Sequence, residues 1–440
     1  MPLVLDKTST KEDQLKQVFV KVISDKAKQI PRSLTRQQIN QLALSVPHIS
    51  EAAITWLDCL TDADLIQPFL GLGYFYEGQA NYSQSESWLV AGFDIAQTRF
   101  GKNHLDVATI LNALGEIYRA QSRYCEAQPH YLEALSIRET QLGIDNLDTA
   151  TSLSDLSGLY KAQGRYLEAE SGYLRVLTIQ RKAIGVEHPN IATTINNLAT
   201  LYDSQGHYSE AEPLYLEALA IWKHHLGMDH PNVAACLNNL GLLYRNQQRY
   251  VEAEPLYLRS LAIRSVQLGE DHPETAISLN NLAGLYSLQE RYIEAEFLYR
   301  KALAIRELQF GTDHPLVAQS LNNLAVLLDS HLQHYDEAEQ LYLRSLSIRQ
   351  SIYGKNHSEV ANSFYNLAGF YTNQGRYCEA EVYHLEAQEI LTNCLRNQHP
   401  ITVMVKQNFV DFVEKVVQDG QVGMLSDHST TQQLLRSILA

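Results

Sequence analysis

Apolar positions recur along this chain as paired helical stripes. Between Pro189 and Ser204, the residues Ile195, Leu198, Ala199 and Tyr202 fall at i, i+3, i+4 and i+7, one face of a helix. Gln205-Gly206-His207 interrupts the stripe, and a second one, Ala211, Tyr215, Ala218 and Leu219, runs on to Gly227. Gly227 is placed to follow a helix end, and Pro231 to open the next helix in its first turn. Pro213 and Pro255 also fall in first turns, where no backbone hydrogen bond is lost. The pattern then repeats. Gly101, Gly143, Gly185, Gly227, Gly269 and Gly311 are each 42 residues apart, and Gly354 follows after 43. An Arg/His-Tyr-x-Glu-Ala segment recurs at Tyr124, Tyr166, Tyr208, Tyr250, Tyr292, Tyr335 and Tyr377. The single slip in register is a residue inserted between helices in Ser330–Tyr335. A period of this length built from two helices predicts stacked helix pairs rather than separate globular cores.

Leu198-Ala199, Tyr202, Tyr208, Ala211, Tyr215 and Ala218 resemble the tetratricopeptide pattern. The 42-residue period, the Leu-Asn-Asn-Leu-Ala-x-Leu-Tyr segment and the Leu-Gly-x-Asp-His-Pro junction resemble the kinesin light chain type of that family. The resemblance covers about residues 65–418. It implies an all-α, right-handed superhelical solenoid of tetratricopeptide helix pairs with capping helices at both ends. The expected organisation is a non-repeating helical segment at 1–64 and a degenerate first repeat at 65–103. Seven repeats follow at 104–398, then a capping helix at 399–418 and a tail at 419–440 holding one weak helix. Residues 33–100 also resemble the leader of such arrays in bacterial signalling proteins, some of which carry a STAND-class NTPase. No phosphate-binding Gly-x-x-x-x-Gly-Lys-Ser/Thr occurs here.

Composition changes this picture in two places. Tyrosine is abundant, 25 of 440 residues. Nineteen of them occupy three recurring positions, such as 202/208/215 and 244/250/257, so the surplus reports repeat number. Their rings are expected in the core beside small residues such as Ala211 and Ala253, with each hydroxyl near water or a backbone partner. The net charge is −15, from 35 basic and 50 acidic residues. Acids and bases balance in residues 1–64, so the array carries nearly all of it. An acidic array excludes a general nucleic-acid or anionic-membrane binder. No run of 18 apolar residues exists. Five scattered cysteines without a Cys-x-x-Cys fit reduced thiols and a cytoplasmic setting.

The first helix of each pair carries a second, polar stripe beside the apolar one. Thr193, Asn196, Thr200 and Asp203 form it in one repeat. Asparagine recurs there as Asn112, Asn196, Asn238, Asn280 and Asn322, with Tyr365 in the last period. Mid-helix asparagine needs a reason, because it is a mediocre helix former. Two readings stand: the amides clamp the backbone of an extended peptide, as the family resemblance implies, or they form an internal ladder between helices. The neighbouring Asn197, Asn239, Asn281 and Asn323 are read as structural. Arg119, Lys161 and Arg245 lie on the same stripe, where they suit an acidic ligand; the competing reading pairs them with nearby carboxylates such as Glu116. His188, His230, His272, His314, His357 and His399 recur at helix starts, which suits a turn role. Residues one repeat apart cannot share a metal ion. No catalytic constellation, cofactor motif or metal motif appears. The sequence therefore predicts a non-enzymatic scaffold that holds a protein or peptide partner, acidic in character, in a groove lined by the first helices. A signalling sensor working with a separate NTPase and a self-assembling scaffold are the alternatives.

Overall fold

The computed structural model describes residues 11–31, 34, 36–394 and 399–439. The first ten residues, the 395–398 end of the expected last repeat and residue 440 lie outside the described residues. Among the described residues all regular structure is helical. Three N-terminal helices come first: α1 (Lys11–Lys28), α2 (Arg36–Ala43) and α3 (Val46–Ile54). The pairs follow as α4 (Gln67–Glu77) with α5 (Tyr82–Phe100), and α6 (Leu105–Ala120) with α7 (Tyr124–Leu142). Next are α8 (Leu147–Ala162) and α9 (Tyr166–Ile184), then α10 (Pro189–Ser204) with α11 (Tyr208–Leu226) and α12 (Pro231–Asn246) with α13 (Tyr250–Gln267). The last pairs are α14 (Pro273–Leu288) with α15 (Tyr292–Phe310), α16 (Pro315–Leu327) with α17 (Tyr335–Tyr353), and α18 (Ser358–Asn373) with α19 (Tyr377–Cys394). The chain closes with α20 (Pro400–Gln418) and α21 (Ser429–Leu439). The fold class is the expected all-α solenoid of helix pairs.

Two compact units are present, Met1–Leu159 with Ser171–Val186, and Tyr160–Glu170 with Glu187–Ala440. In the first unit, Ile23, Ala27, Ile49 and Ala52 pack on Phe69, Leu72 and Phe75 of α4, so the N-terminal helices cover the first pair. Asp64, 3% exposed, is held there by Lys28 at 2.6 Å and Lys21 at 3.1 Å, and Thr61 Oγ1 donates to it at 2.8 Å. Burial pushes the Asp64 carboxyl up, but the bonds from Lys28, Thr61 and Lys21 outweigh it and hold the pKa low. In the second unit the C-terminal tail is fixed through one buried side chain. Glu381 of α19 accepts from the Ser426 amide and hydroxyl and from Thr431 Oγ1, all within 2.6–2.7 Å.

Local chemistry repeats with the sequence. The recurring histidines are helix N-caps: Nδ1 of His188, His230, His272, His314, His357 and His399 accepts the amide hydrogen of the residue two on, at 3.0–3.3 Å. His104 does the same, and Asn146 fills the place with its side-chain oxygen. Gly227 ends α11 at φ 89°, ψ 161°, a conformation open to glycine almost alone. The turn inside each pair uses a left-handed residue, which is glycine at 206 but Gln248 (φ 60°) and Glu290 (φ 63°) in the next two repeats. A side chain in that conformation costs about 1–2 kcal/mol, partly offset by glycine's larger unfolded-state entropy. The double variant Gln248→Gly/Glu290→Gly should therefore raise stability by about 1 kcal/mol, read as a higher urea midpoint at unchanged slope.

The inserted residue is absorbed differently from the sequence expectation. It does not lengthen a loop between helices. Leu328–Leu332 instead form one π-helical turn that continues α16, closed by Gln333 in the left-handed conformation, and the His334 amide donates to the Leu328 carbonyl at 3.0 Å. Widening one turn takes up the extra residue and leaves α17 in register with the other second helices.

Candidate functional site

The polar stripe of the first helices is where sequence reasoning placed the site, and the two units realise it separately. In the first unit Asn112 is 6% exposed. Its Nδ2 donates to Asp155 at 3.0 Å, and its Oδ1 accepts from Ser152 at 3.3 Å. Both ends of the amide thus have partners inside the protein, and one Nδ2 hydrogen is left over. Arg119 is exposed to solvent on the same helix, next to Tyr131, Glu116 and Asp155. Partial burial pulls its guanidinium down, but those three groups outweigh it and its pKa is raised. Tyr131 is the nearer partner, and Glu116 and Asp155 add charge.

In the second unit the two asparagine series form one ladder. Asn239 Nδ2 donates to Asn196 Oδ1 at 3.2 Å, Asn281 to Asn238 at 2.9 Å and Asn323 to Asn280 at 2.9 Å. Asn366 donates to Asn322 at 2.7 Å, and Asn408 extends the run to the Tyr365 hydroxyl at 2.8 Å. The adjacent asparagines are the donors, as expected of structural residues. Asn196, Asn238, Asn280 and Asn322 are the acceptors, so the ladder and the clamp are not exclusive. Each groove asparagine gives its carbonyl to the next repeat, which orients its amide hydrogens along the stripe. Asn238 is the most enclosed of these, at 6% exposed; the other three are half-buried.

Lys161 and Arg245 belong to the same unit and flank Asp203. Burial lowers the Lys161 pKa against the attraction of Asp203. Burial raises the Asp203 carboxyl, opposed by a hydrogen bond from Asn246 and by the charges of Lys161 and Arg245. The three groups leave one net positive charge on this stretch.

The floor of the stripe holds residues that sequence reasoning assigned only to the core. Tyr131, Tyr215 and Tyr257 are at most 1% exposed, their rings driven under the first helices. A Cβ on Gly241 would meet the Tyr257 ring at 3.0 Å, and one on Gly115 the Tyr131 ring at 2.9 Å. At Gly284, a stripe position, a Cβ would meet the Tyr299 hydroxyl and an Arg245 Nη, each at 3.3 Å. Here a tyrosine hydroxyl and a guanidinium share the floor of the stripe. Desolvation raises the Tyr257 and Tyr299 pKa values to about 12, with Arg245 opposing the shift in both.

The C-terminal end of the stripe deepens into a cavity of about 350 Å³. Val326, Asp329 and Tyr365 from the predicted stripe line it, together with Asn366, Asn408 and Asp411. His384 is also part of its wall, 3% exposed, and among the described residues neither ring nitrogen has a hydrogen-bond partner. Burial pushes His384 down to about 4. An unfolded histidine titrates near 6.5, so the stabilisation from keeping His384 neutral is complete above that pH and disappears as the pH falls toward 4. His384→Phe removes both the titration and the unsatisfied nitrogens. It should raise stability by about 1–3 kcal/mol at pH 7 and flatten the stability profile between pH 6.5 and 4, measured by urea unfolding at several pH values.

Two further networks were missed. The first tyrosine of the period donates to a glutamate of the preceding repeat at Tyr118, Tyr202, Tyr244 and Tyr371, where the expectation was water or backbone. Tyr244 donates to Glu212 of the preceding repeat at 2.7 Å, Arg249 lies 3.9 Å over its ring, and Arg249 bridges Glu212 and Glu252 at 2.9 and 2.7 Å. Tyr118 and Tyr371 stand in equivalent arrangements with Glu86/Arg123 and Glu339/Arg376. The signal was visible as the arginine before five of the seven recurring Tyr-x-Glu-Ala segments and the acid or amide two residues beyond their glutamate, both spaced by the repeat. The second network is a series of buried arginines, Arg264, Arg306 and Arg349, each 2–6% exposed. Their Nη1 atoms donate to the first-turn carbonyls of Glu274, Leu316 and Glu359, and to Ser278, Ser320 and Ser363.

As for metals, Glu187, His224 and His225 place three ligand atoms within 4.8 Å of one another, all three residues being exposed. No helix of the described residues is long and apolar enough to cross a membrane. The described cysteines are free thiols, Cys236 buried and Cys125 and Cys378 exposed.

A tetratricopeptide repeat family profile matches the chain in overlapping segments at residues 64–140, 109–171, 148–224, 208–254, 232–308, 298–351 and 316–393. No curated protein matches it at a significant level. Among solved structures, BtubC (BKLC) from P. vanneervenii is 24% identical, covering 53% of this chain and 93% of that one at a TM-score of 0.43. A Podosopora anserina protein with nearly identical TPR-like repeats, named for kinesin light chain, is 26% identical over 47% of this chain and 97% of that one at a TM-score of 0.39. A Rap protein complexed with competence and sporulation factor is 12% identical, covers 87% of this chain and 99% of its own, and has a TM-score of 0.55. The last of these is a likeness of fold.

Proposed function

The chain belongs to the tetratricopeptide repeat family, and from that premise we propose that it is a non-enzymatic adaptor. It holds a protein or peptide partner on the polar face of the first helices of the second unit. The observation that carries this reading is the ladder: it fixes four asparagine amides at repeat spacing on the face that also carries Lys161, Arg245 and Asp203. Pre-oriented donors on rigid helices lower the ordering cost of binding. Asparagines one repeat apart, on helices about 10 Å apart, would meet roughly every third residue of an extended segment at ~3.3–3.6 Å per residue. Lys161 and Arg245 favour an acidic residue of that segment beside them, because Asp203 neutralises only one of the two.

The test separates binding from the ladder's structural part. Asn280→Tyr fills the stripe; Asn323→Ala removes the bond to Asn280 without adding bulk to it. Co-purification of partners should fall at least tenfold with the first and stay within twofold with the second. Full retention with Asn280→Tyr rejects the groove. For the acidic contact, Lys161→Glu/Arg245→Glu should weaken partner binding and remove part of its salt dependence. Unchanged binding and salt slope would reject an acidic ligand at this place.

A further inference from the structure

We infer that the cavity between α16, α18 and α20 receives a positively charged side chain, arginine or lysine, of the bound partner. This rests on the groove reading above and adds the chemistry of one anchor. Three independent features of the cavity point to a cation.

The first is a buried carboxylate. Asp329, in the π-helical turn after α16, is 8% exposed, and among the described residues no cation or hydrogen-bond donor reaches it. Burial raises its carboxyl with no opposing charge. The other ionisable groups on the walls are Asp411 and Lys415 of α20, His384 of α19, and the phenols Tyr342 and Tyr365. Lys415 reaches toward the Thr372 carbonyl, 3.5 Å away. With His384 and the phenols neutral, two carboxylates and one ammonium leave one net negative charge.

The second is His384, whose two ring nitrogens are enclosed and unpartnered. A neutral imidazole has one acceptor nitrogen. A guanidinium or ammonium brings several N–H donors, enough for a carboxylate and an imidazole together. An apolar guest would leave both unsatisfied, and an anionic guest would face Asp329 and Asp411.

The third is the aromatic lining. Tyr342, Tyr365, Phe370 and Phe412 contribute to the walls, and ring faces attract a desolvated cation. The cavity volume, about 350 Å³, is at the small end of the range for ligand pockets and suits a single side chain. The inserted residue gives the site a local origin. The π turn occurs only in this repeat among the described residues, and it carries Asp329.

The probes are twelve-residue peptides selected from a random phage-displayed library on the full chain. Expected are peptides sharing an arginine or lysine whose exchange for citrulline or norleucine costs at least tenfold in affinity. Asp329→Asn, which keeps the side chain's size, should erase that difference, and Asp411→Asn should reduce it. Far-UV circular dichroism and melting confirm that each variant is folded. Peptides without a shared cation, or affinities unchanged in Asp329→Asn, overturn the cation pocket; if those peptides still fail on Asn280→Tyr, the groove reading survives. Peptides indifferent to both substitutions, or no enrichment at all, overturn both.

Discussion

Tyr257→Ala should lower stability by about 3–5 kcal/mol, while Tyr257→Phe should leave it unchanged or raise it slightly. The ring is fully buried, and the wall opposite it is backbone, because Gly241 brings α12 close to the ring. A backbone wall collapses poorly, so truncation leaves a cavity near the full size of the ring. The hydroxyl, by contrast, is buried without a hydrogen-bond partner among the described residues. Removing it forfeits no bond and relieves a desolvation penalty. Stacked repeats interact with their neighbours, so the loss should first show as faster amide exchange in α12 to α15. Urea unfolding with exchange mass spectrometry checks both variants. A loss in Tyr257→Phe comparable to that in Tyr257→Ala would show that the hydroxyl has a partner.

Arg306→Met is the second large effect, and it runs toward greater stability, by about 1–3 kcal/mol. Arg264 and Arg349 each pair with a glutamate, Glu274 at 2.8 Å and Glu359 at 3.2 Å. Leu316 stands where those glutamates do, and Arg306 turns instead to Gln319, a neutral amide accepting at 3.0 Å. Arg306 is thus a charge that is 2% exposed with no ion pair of its own among the described residues, and its Nε lacks an acceptor. Burial pushes its pKa down to about 10, with only the more distant Glu274 opposing. Methionine fills the channel of the arginine stem without a desolvated charge. Arg264→Met should gain less, because it also gives up the ion pair with Glu274. Thermal melts of the two variants decide this; equal effects at both sites would show that pairing is irrelevant to their stability.

The architecture was legible because the signals were redundant. Period, C-terminal glycines, first-turn prolines and apolar stripes all demanded the same helix pairs, and the recurring histidines proved to be caps at the helix starts where they were expected. The insertion was visible as a count, but its form was not. A π turn and a longer loop use the same residues, and α17's register decides between them. The site was legible as a stripe and not as a network. Helical spacing places Asn196, Asn238, Asn280 and Asn322 on one face. It cannot show that residues 43 or 44 apart are hydrogen-bonded, because that distance depends on how far neighbouring helices are offset. The same limit concealed Asn112's pairing with Asp155 and the bond from Tyr244 to Glu212. His384 was hidden for another reason. It replaces a tyrosine of the third class, and a one-residue departure from the repeat reveals nothing about whether its nitrogens are satisfied.

Site-specific photo-crosslinking decides whether partners dock on the polar stripe. A photoreactive phenylalanine analogue would be placed at Ile277 or Val326 on the polar stripe, and at Val251 or Phe297 on the second helices, where side chains are 86% and 67% exposed. Expected is one shared partner crosslinked from both stripe positions and not from the second helices. A partner crosslinked only from Val251 or Phe297 would contradict it.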